Sequence, residues 1–237
     1  MADGSDRPLP AWLSGIDPRL MLWLSPAFPV GAFAYSHGLE WAAEAGWVRD
    51  RATLETWLGD LVRHGGLRND LIFLARSAES FGRGDLVHLD DINALALALQ
   101  PSAERRLETA QQGTSFLGTI VAAWPVPRLD TLDERFGGDV AYPVAVGIAV
   151  AAHGVAPKGG LLGYAVAFLT NLISAAIRLS VIGQTDGQRV LAALLPRAAE
   201  AATFAESAGL DDIGGASLRS DIASLAHETQ YTRLFRS

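Results

Sequence analysis

The chain has no cysteine among its 237 residues. That removes disulfides, thiolate metal sites and cysteine nucleophiles, and it fits a reducing compartment. Lysine occurs once, as Lys158 in Pro157-Lys158-Gly159-Gly160. The GxxxxGK[ST] spacing that cradles a phosphate is missing there, so the chain is not expected to be a GTPase itself. HExxH, a His/Cys cluster and the GxSxG nucleophile elbow are likewise absent. No run of alternating β-branched residues bounded by turn pairs persists, which leaves no convincing sheet. The opening residues, MADGSDRPLP, carry acid and proline where a signal peptide needs a basic start and an apolar run, so a cytoplasmic location is expected. A net charge of −7 argues against broad attraction to nucleic acid or anionic lipid.

What is present is 49% hydrophobic residues, enough for a substantial core without staples. Periodicity predicts one all-α domain over residues 1–237, with roughly ten helices and a fraying start over about residues 1–11. Helices are expected over residues 19–24 and from a cap at Asp50 to Gly65-Gly66, then over residues 67–81, 85–99 and 102–121. Asp85 and Ser102 are the candidate caps of the last two. Further helices are expected over residues 144–153 and 158–182, and from Thr185 or Asp186 onward with a kink or break at Pro196. The last helix is expected from Leu218 to about Leu234.

The stretch around which the rest is organised covers residues 25–47, SPAFPVGAFAYSHGLEWAAEAGW. Pro26, Pro29 and Gly31 interrupt any regular element, while Phe28, Val30, Phe33 and Tyr35 add apolar bulk that exposed loops normally lack. From Ser36 helical spacing takes over, through Leu39, Ala42 and Ala43, until Gly46. A fixed aromatic turn therefore feeds a helix.

Tyr35-Ser36-x-Gly38-Leu39-Glu40 with the Gly46-Trp47 ending resembles the UreF-type urease accessory proteins. So do Ala141-Tyr142-Pro143-Val144, residues 171–176 (NLISAA), residues 183–189 (GQTDGQR) and residues 227–237 (HETQYTRLFRS). Ala32 and Ala34 depart from the glycine and serine usual in the first motif. The resemblance implies a non-enzymatic, dimeric maturation factor that assists nickel insertion into apo-urease. It would link the accessory protein UreD (or UreH) to the GTPase UreG and regulate GTP-dependent delivery, with nickel and GTP handled by those partners and no cofactor of its own. It assigns Phe33, Tyr35, Glu40, Asp70, Arg178, Gln184 and Asp186 to the GTPase surface. It assigns Tyr231, Arg233, Leu234, Phe235 and Arg236, in the tail over about residues 227–237, to UreD or UreH, and Leu162 and Val166 to the dimer interface.

The residues by themselves leave plainer readings open. Residues 161–177 carry no charge, which raises a membrane span, but Gly163, Thr170, Asn171 and Ser174 and the lack of an aromatic belt favour a helix buried on all sides. A second copy of the chain could instead cover one of its faces. His37 and Glu40 stand at i and i+3, so they could share a helix face as two metal ligands or as the acid–base pair of an all-α enzyme. Two ligands do not make a metal site, and polar structural contacts are the commoner fate. The glutamines and arginine beside Asp186 could be solvated surface, Phe33 a core plug, and the chain a purely structural helical binding module.

Overall fold

The computed structural model describes residues 17–129 and 132–237, with the side chains of residues 133 and 134 left aside. The expected fraying of residues 1–11 falls outside the described part. Eleven α-helices and no strand occur among the described residues: α1 (Pro18–Trp23), α2 (Leu39–Glu44), α3 (Arg51–His64), α4 (Gly66–Arg83), α5 (Leu86–Ala98), α6 (Ala103–Ala123), α7 (Leu132–Phe136), α8 (Tyr142–Ala152), α9 (Pro157–Arg178), α10 (Gln184–Ser207) and α11 (Leu218–His227).

Side chains that satisfy free amides set several of these starts. The Asp50 carboxylate accepts from the Thr53 amide at 2.8 Å, and the Thr53 hydroxyl accepts from the Asp50 amide at 3.1 Å, closing a capping box. Asp85 and Ser102 cap α5 and α6 as expected, accepting from the amides of His88 and Arg105. Neither Thr185 nor Asp186 caps α10. Its N-cap is Gly183, in extended conformation and without a side-chain bond, so Gln184 already lies in the helix.

Pro196 does not break α10. Proline frees the carbonyl four residues earlier, here that of Ala192, and both residues are exposed on the outer side, where water can take up the freed group. On the inner side Val190, Leu194, Ala198, Ala202 and Ala205 are buried before and after the proline, so core packing continues across it. The last helix also differs from expectation, since α11 ends at His227 and residues 228–237 follow as a non-helical tail.

The core is one continuous cluster centred on α4 and α8. α8 presents Pro143 through Val150 almost wholly to the interior, with α4 and α6 packed on it. The α4–α8 approach is close because Gly147 has no side chain: a Cβ there would stand 2.5 Å from the Leu74 carbonyl oxygen. α9 packs against α10, α4, α8, α2 and α1, and α10 lies against α3. α9 is long and apolar enough to cross a membrane, but other helices of the chain pack on it, and it is not buried on all sides. Leu161, Tyr164, Ala165, Leu169 and Leu172 face the core, while Leu162, Val166 and Thr170 remain half-exposed along the other side.

Residues 139–142 pass so near α6 that a Cβ on Gly113 would lie 1.9 Å from the Val140 carbonyl oxygen. That strand of backbone cannot retreat, since Asn93 bonds the Asp139 carbonyl and the Ala141 amide, both at 2.8 Å, and Thr109 accepts from the Tyr142 amide. Gly113→Ala should therefore destabilise by about 1–3 kcal/mol. Gly118→Ala, on the exposed side of the same helix with nothing within 4 Å, should stabilise by roughly 0.5–1 kcal/mol. Urea unfolding of the two variants decides it, and equal stabilities would refute the close approach.

Candidate functional site

The aromatic turn forms its local shape through consecutive left-handed residues. After a 3-10 turn at Ala32–Ala34, His37 and Gly38 have φ of 57° and 74°, and α2 then begins. Gly38 is required here, because a Cβ would stand 2.6 Å from the backbone nitrogen of Ser224 in α11. His37 holds a conformation rare for residues with a side chain, and the surroundings explain it. Its Nε2 lies 2.8 Å from Glu108 of α6, and its ring packs edge-on against Phe168 of α9 at 4.9 Å.

This turn receives the tail. Glu40 of α2 accepts from the amides of Leu234 at 2.6 Å and Phe235 at 2.9 Å. The Arg236 amide donates to the Ala34 carbonyl at 2.8 Å, and the Ser36 amide and hydroxyl donate to the Ser237 carbonyl at 2.7 and 2.5 Å. The Ser237 hydroxyl reaches Glu108 at 2.6 Å. Arg178, at the end of α9, donates to the Phe33 carbonyl and lies 4.2 Å from the centre of the Phe235 ring. The turn and three helices, α2, α6 and α9, thus hold four successive tail residues.

Two polar clusters lie beneath. In the first, His227 is wholly buried between carboxylates, with Nδ1 2.6 Å from Glu104 and Nε2 3.2 Å from Glu40, and Arg233 of the tail pairs with Glu104. In the second, Glu108 is surrounded by Arg105, His37, Gln112 and Ser237. Burial alone would raise the Glu108 carboxyl, but the Arg105 charge with the His37 and Ser237 bonds outweighs it and holds the group down at about 2. Burial, reinforced by Arg105, lowers His37 despite Glu108. A neutral ring still donates Nε2–H to Glu108, so Arg105 is the cation that offsets this carboxylate.

The residues assigned to a GTPase surface do not form one exposed face. Phe33 is 67% exposed, whereas Tyr35, Glu40 and Asp70 are buried. Tyr35 donates to Gln111 at 2.6 Å, Glu40 is occupied by the tail and His227, and Asp70 accepts from Tyr164 at 3.0 Å. Gln184 is exposed, and Asp186 pairs with Arg189 of its own helix at 2.9 Å. In the tail, Tyr231, Arg233, Leu234 and Arg236 are exposed, while Phe235 is buried. His37 and Glu40 do not act together, since α2 begins only after His37 and each residue goes to a different partner. Among the described residues no group of three or more His, Cys, Asp or Glu could hold a metal ion.

Glu104 and Glu108 are the residues that sequence reading missed. Their i, i+4 spacing with Arg105 between them was the available signal, although such spacing also marks an ordinary solvated helix face.

Burial raises Asp70 from 3.8 to about 6, against the opposing pull of Arg105 and Tyr164. Between these values the folded chain holds a proton that the unfolded chain has released, so stability falls as pH rises from about 4 to about 6. Glu108 acts oppositely, and its contribution is lost as pH falls from about 4.5 towards 2. Asp70→Asn should remove the first slope, worth up to roughly 3 kcal/mol, and leave the second. Urea unfolding at stepped pH measures both, and parallel curves for wild type and variant would contradict the assignment.

Comparison with known proteins agrees with the resemblance. A family model described as UreF matches residues 48–195. The urease accessory protein UreF of Methylobacterium sp. (strain 4-46) is 56% identical over 218 residues, 92% of this chain and 87% of that protein. Its counterpart in Methylobacterium radiotolerans is 55% identical over 219 residues, 92% of this chain and 96% of the relative. That of Rhodopseudomonas palustris (strain BisA53) is 50% identical with both chains covered completely. The family model stops short of the aromatic turn and the tail, but this last alignment includes them. The chain belongs to the UreF family of urease accessory proteins.

Proposed function

We propose that the chain is a non-enzymatic, cytoplasmic maturation factor for urease, a dimeric scaffold that joins UreD or UreH to the GTPase UreG and so governs nickel delivery into apo-urease. The observation that carries this reading is the outer face of α11. Ala223, Ser224 and His227 face inward, yet Leu218, Ile222 and Leu225 recur at i, i+4 and i+7 and are each more than half exposed. Tyr231 and Leu234 extend this apolar surface into the tail, with Arg233 and Arg236 beside them. A helix with apolar residues on both sides is suited to lie between two proteins. Aromatic and arginine side chains are frequent anchors at such contacts.

The tail docks on the chain's own turn and helices, so on this reading UreD or UreH meets a surface that the chain itself helps to order. Exposed Phe33 and Arg178 adjoin that surface, because Arg178 touches both the Phe33 carbonyl and the Phe235 ring. A GTPase resting on Phe33, Arg178 and Gln184 would therefore sense whether the tail is in place. By linkage, a scaffold that prefers one nucleotide state of the GTPase shifts the population towards it. The half-exposed side of α9 with Leu162 and Val166 supports the dimer contact, and Met21 and Leu22 of the adjoining α1 are also exposed.

Light scattering after gel filtration, on the chain alone and with UreD or UreH and then UreG added, tests each surface. Val166→Asp should yield a monomer with unchanged helical content. Leu225→Asp should remain dimeric but lose UreD or UreH by at least tenfold in affinity. A dimeric Val166→Asp would remove the α9 interface, and full recruitment by Leu225→Asp would remove the α11 surface.

A further inference from the structure

Between α3 and the start of α11 runs a groove of about 420 Å³, walled by Trp47, Trp57, Leu61 and Leu218. Both ends of it are tied. At one, the Ala216 amide donates to the His64 carbonyl at 2.8 Å and holds the start of α11 to the end of α3. At the other, the Trp47 amide donates to the Ala42 carbonyl at 2.9 Å, and its ring stands edge-on to Trp41 at 4.9 Å. The walls therefore keep their spacing without an occupant, and a preformed groove gives up little freedom when it is filled.

Its polar groups lie outside. Asp60 and Arg219, the charged residues that line it, are both exposed, and the Thr56 hydroxyl donates to the Ala52 carbonyl of its own helix at 3.0 Å. A free small ligand is normally oriented by a few polar groups set inside its pocket, and this groove has indole and leucine surface there instead. A side chain carried by a protein needs no such groups, because contacts elsewhere set its direction. A cationic side chain would meet Arg219, which lies 5.9 Å from the centre of the Trp47 ring, and an acidic one would meet Asp60. A neutral aromatic ring meets neither difficulty, and it can pack edge-to-face or offset on the two indoles. Leu218 belongs both to the groove and to the exposed row Leu218, Ile222 and Leu225, so a protein lying along that row covers the mouth of the groove.

We propose that the groove between α3 and α11 is the anchor pocket of the α11 surface and takes one neutral aromatic side chain from the protein bound there. The proposal rests on the reading of α11 as the surface for UreD or UreH. An apolar pocket with a charged, wetted rim has the anatomy in which a single buried side chain carries much of the affinity of an interface.

The test uses the full chain and measures its affinity for UreD or UreH. Thr56→Trp, at an exposed position of α3 on the groove, puts an indole where the anchor would lie. It should keep the helical content and lower the affinity at least tenfold, whereas Thr56→Ala, which leaves the groove open, should bind as wild type. In the wild-type chain the indole N–H resonance of Trp47, assigned with Trp47→Phe, should shift when the partner is added. Undiminished binding by Thr56→Trp, or a Trp47 resonance that the bound partner leaves unmoved, would overturn the anchor pocket. Leu225→Asp separates this from failure of the underlying reading: if it loses the partner while Thr56→Trp retains it, the α11 surface stands and the pocket falls. If both variants bind as wild type, the α11 surface falls and the pocket with it. Should Thr56→Trp not fold, the Trp47 resonance decides on the wild-type chain.

Discussion

The Glu40 carboxylate is the contact on which the placement of the tail depends. A tail of ten residues that merely lay on a surface would fray, since ordering each residue costs about 1–2 kcal/mol of backbone entropy. Here a buried carboxylate accepts two consecutive amides, from Leu234 and Phe235, and lies 3.2 Å from the His227 ring. Charge-assisted bonds are stronger than neutral ones, and two adjacent amides fix the register of the segment. The end of α11 at His227 fits the same arrangement: amides bound to Glu40 are directed away from a continued helix.

Buried carboxylates are expensive unless charge and hydrogen bonds compensate them, and α6 shows how this is managed. Glu104 and Glu108, one turn apart, belong to different clusters. Glu104 is met by His227 and Arg233, and Glu108 by Arg105, with His37, Gln112 and Ser237 taking its remaining lone pairs. The aromatic turn and the tail are consequently joined through α6 as well as directly. Breaking either cluster would leave a carboxylate inside the protein without its donors, which makes the assembled turn and tail a cooperative unit.

The outer surface is what this inward commitment leaves over. Tyr35, Glu40, Asp70 and Phe235 are used internally, while Phe33, Tyr231, Leu234 and the α11 leucines and isoleucine point outward. Alternate residues of one short segment therefore play opposite parts. Phe235 anchors the tail under Arg178, and its neighbour Leu234, whose amide is bound to Glu40, leaves its side chain in solvent.

The all-helical class, most helix positions and the caps at Asp50, Asp85 and Ser102 were legible in the sequence, because periodicity and capping are local: each acts within a turn or two of chain. Family membership was legible in the turn, the motif at Gly183 and the tail, since residue identity suffices for it. The start of α10 was a local miss, Gly183 standing at the cap in place of Thr185 or Asp186, but the other failures were at places where distant residues compete with local preference. Of the kink or break that Pro196 suggests, the break is removed once the packing of Val190 and Ala198 on the same side is known, and residues 228–234 read as helix until Glu40 claims the Leu234 and Phe235 amides. Glu40 and Asp70 look like surface acids by type, yet the fold buries both. Their partners, His227 and Tyr164, stand 187 and 94 residues away in the chain. Local spacing cannot encode which side chains meet across such separations; only the closed core, by fixing where each helix lies, decides which charges are compensated inside and which face outward.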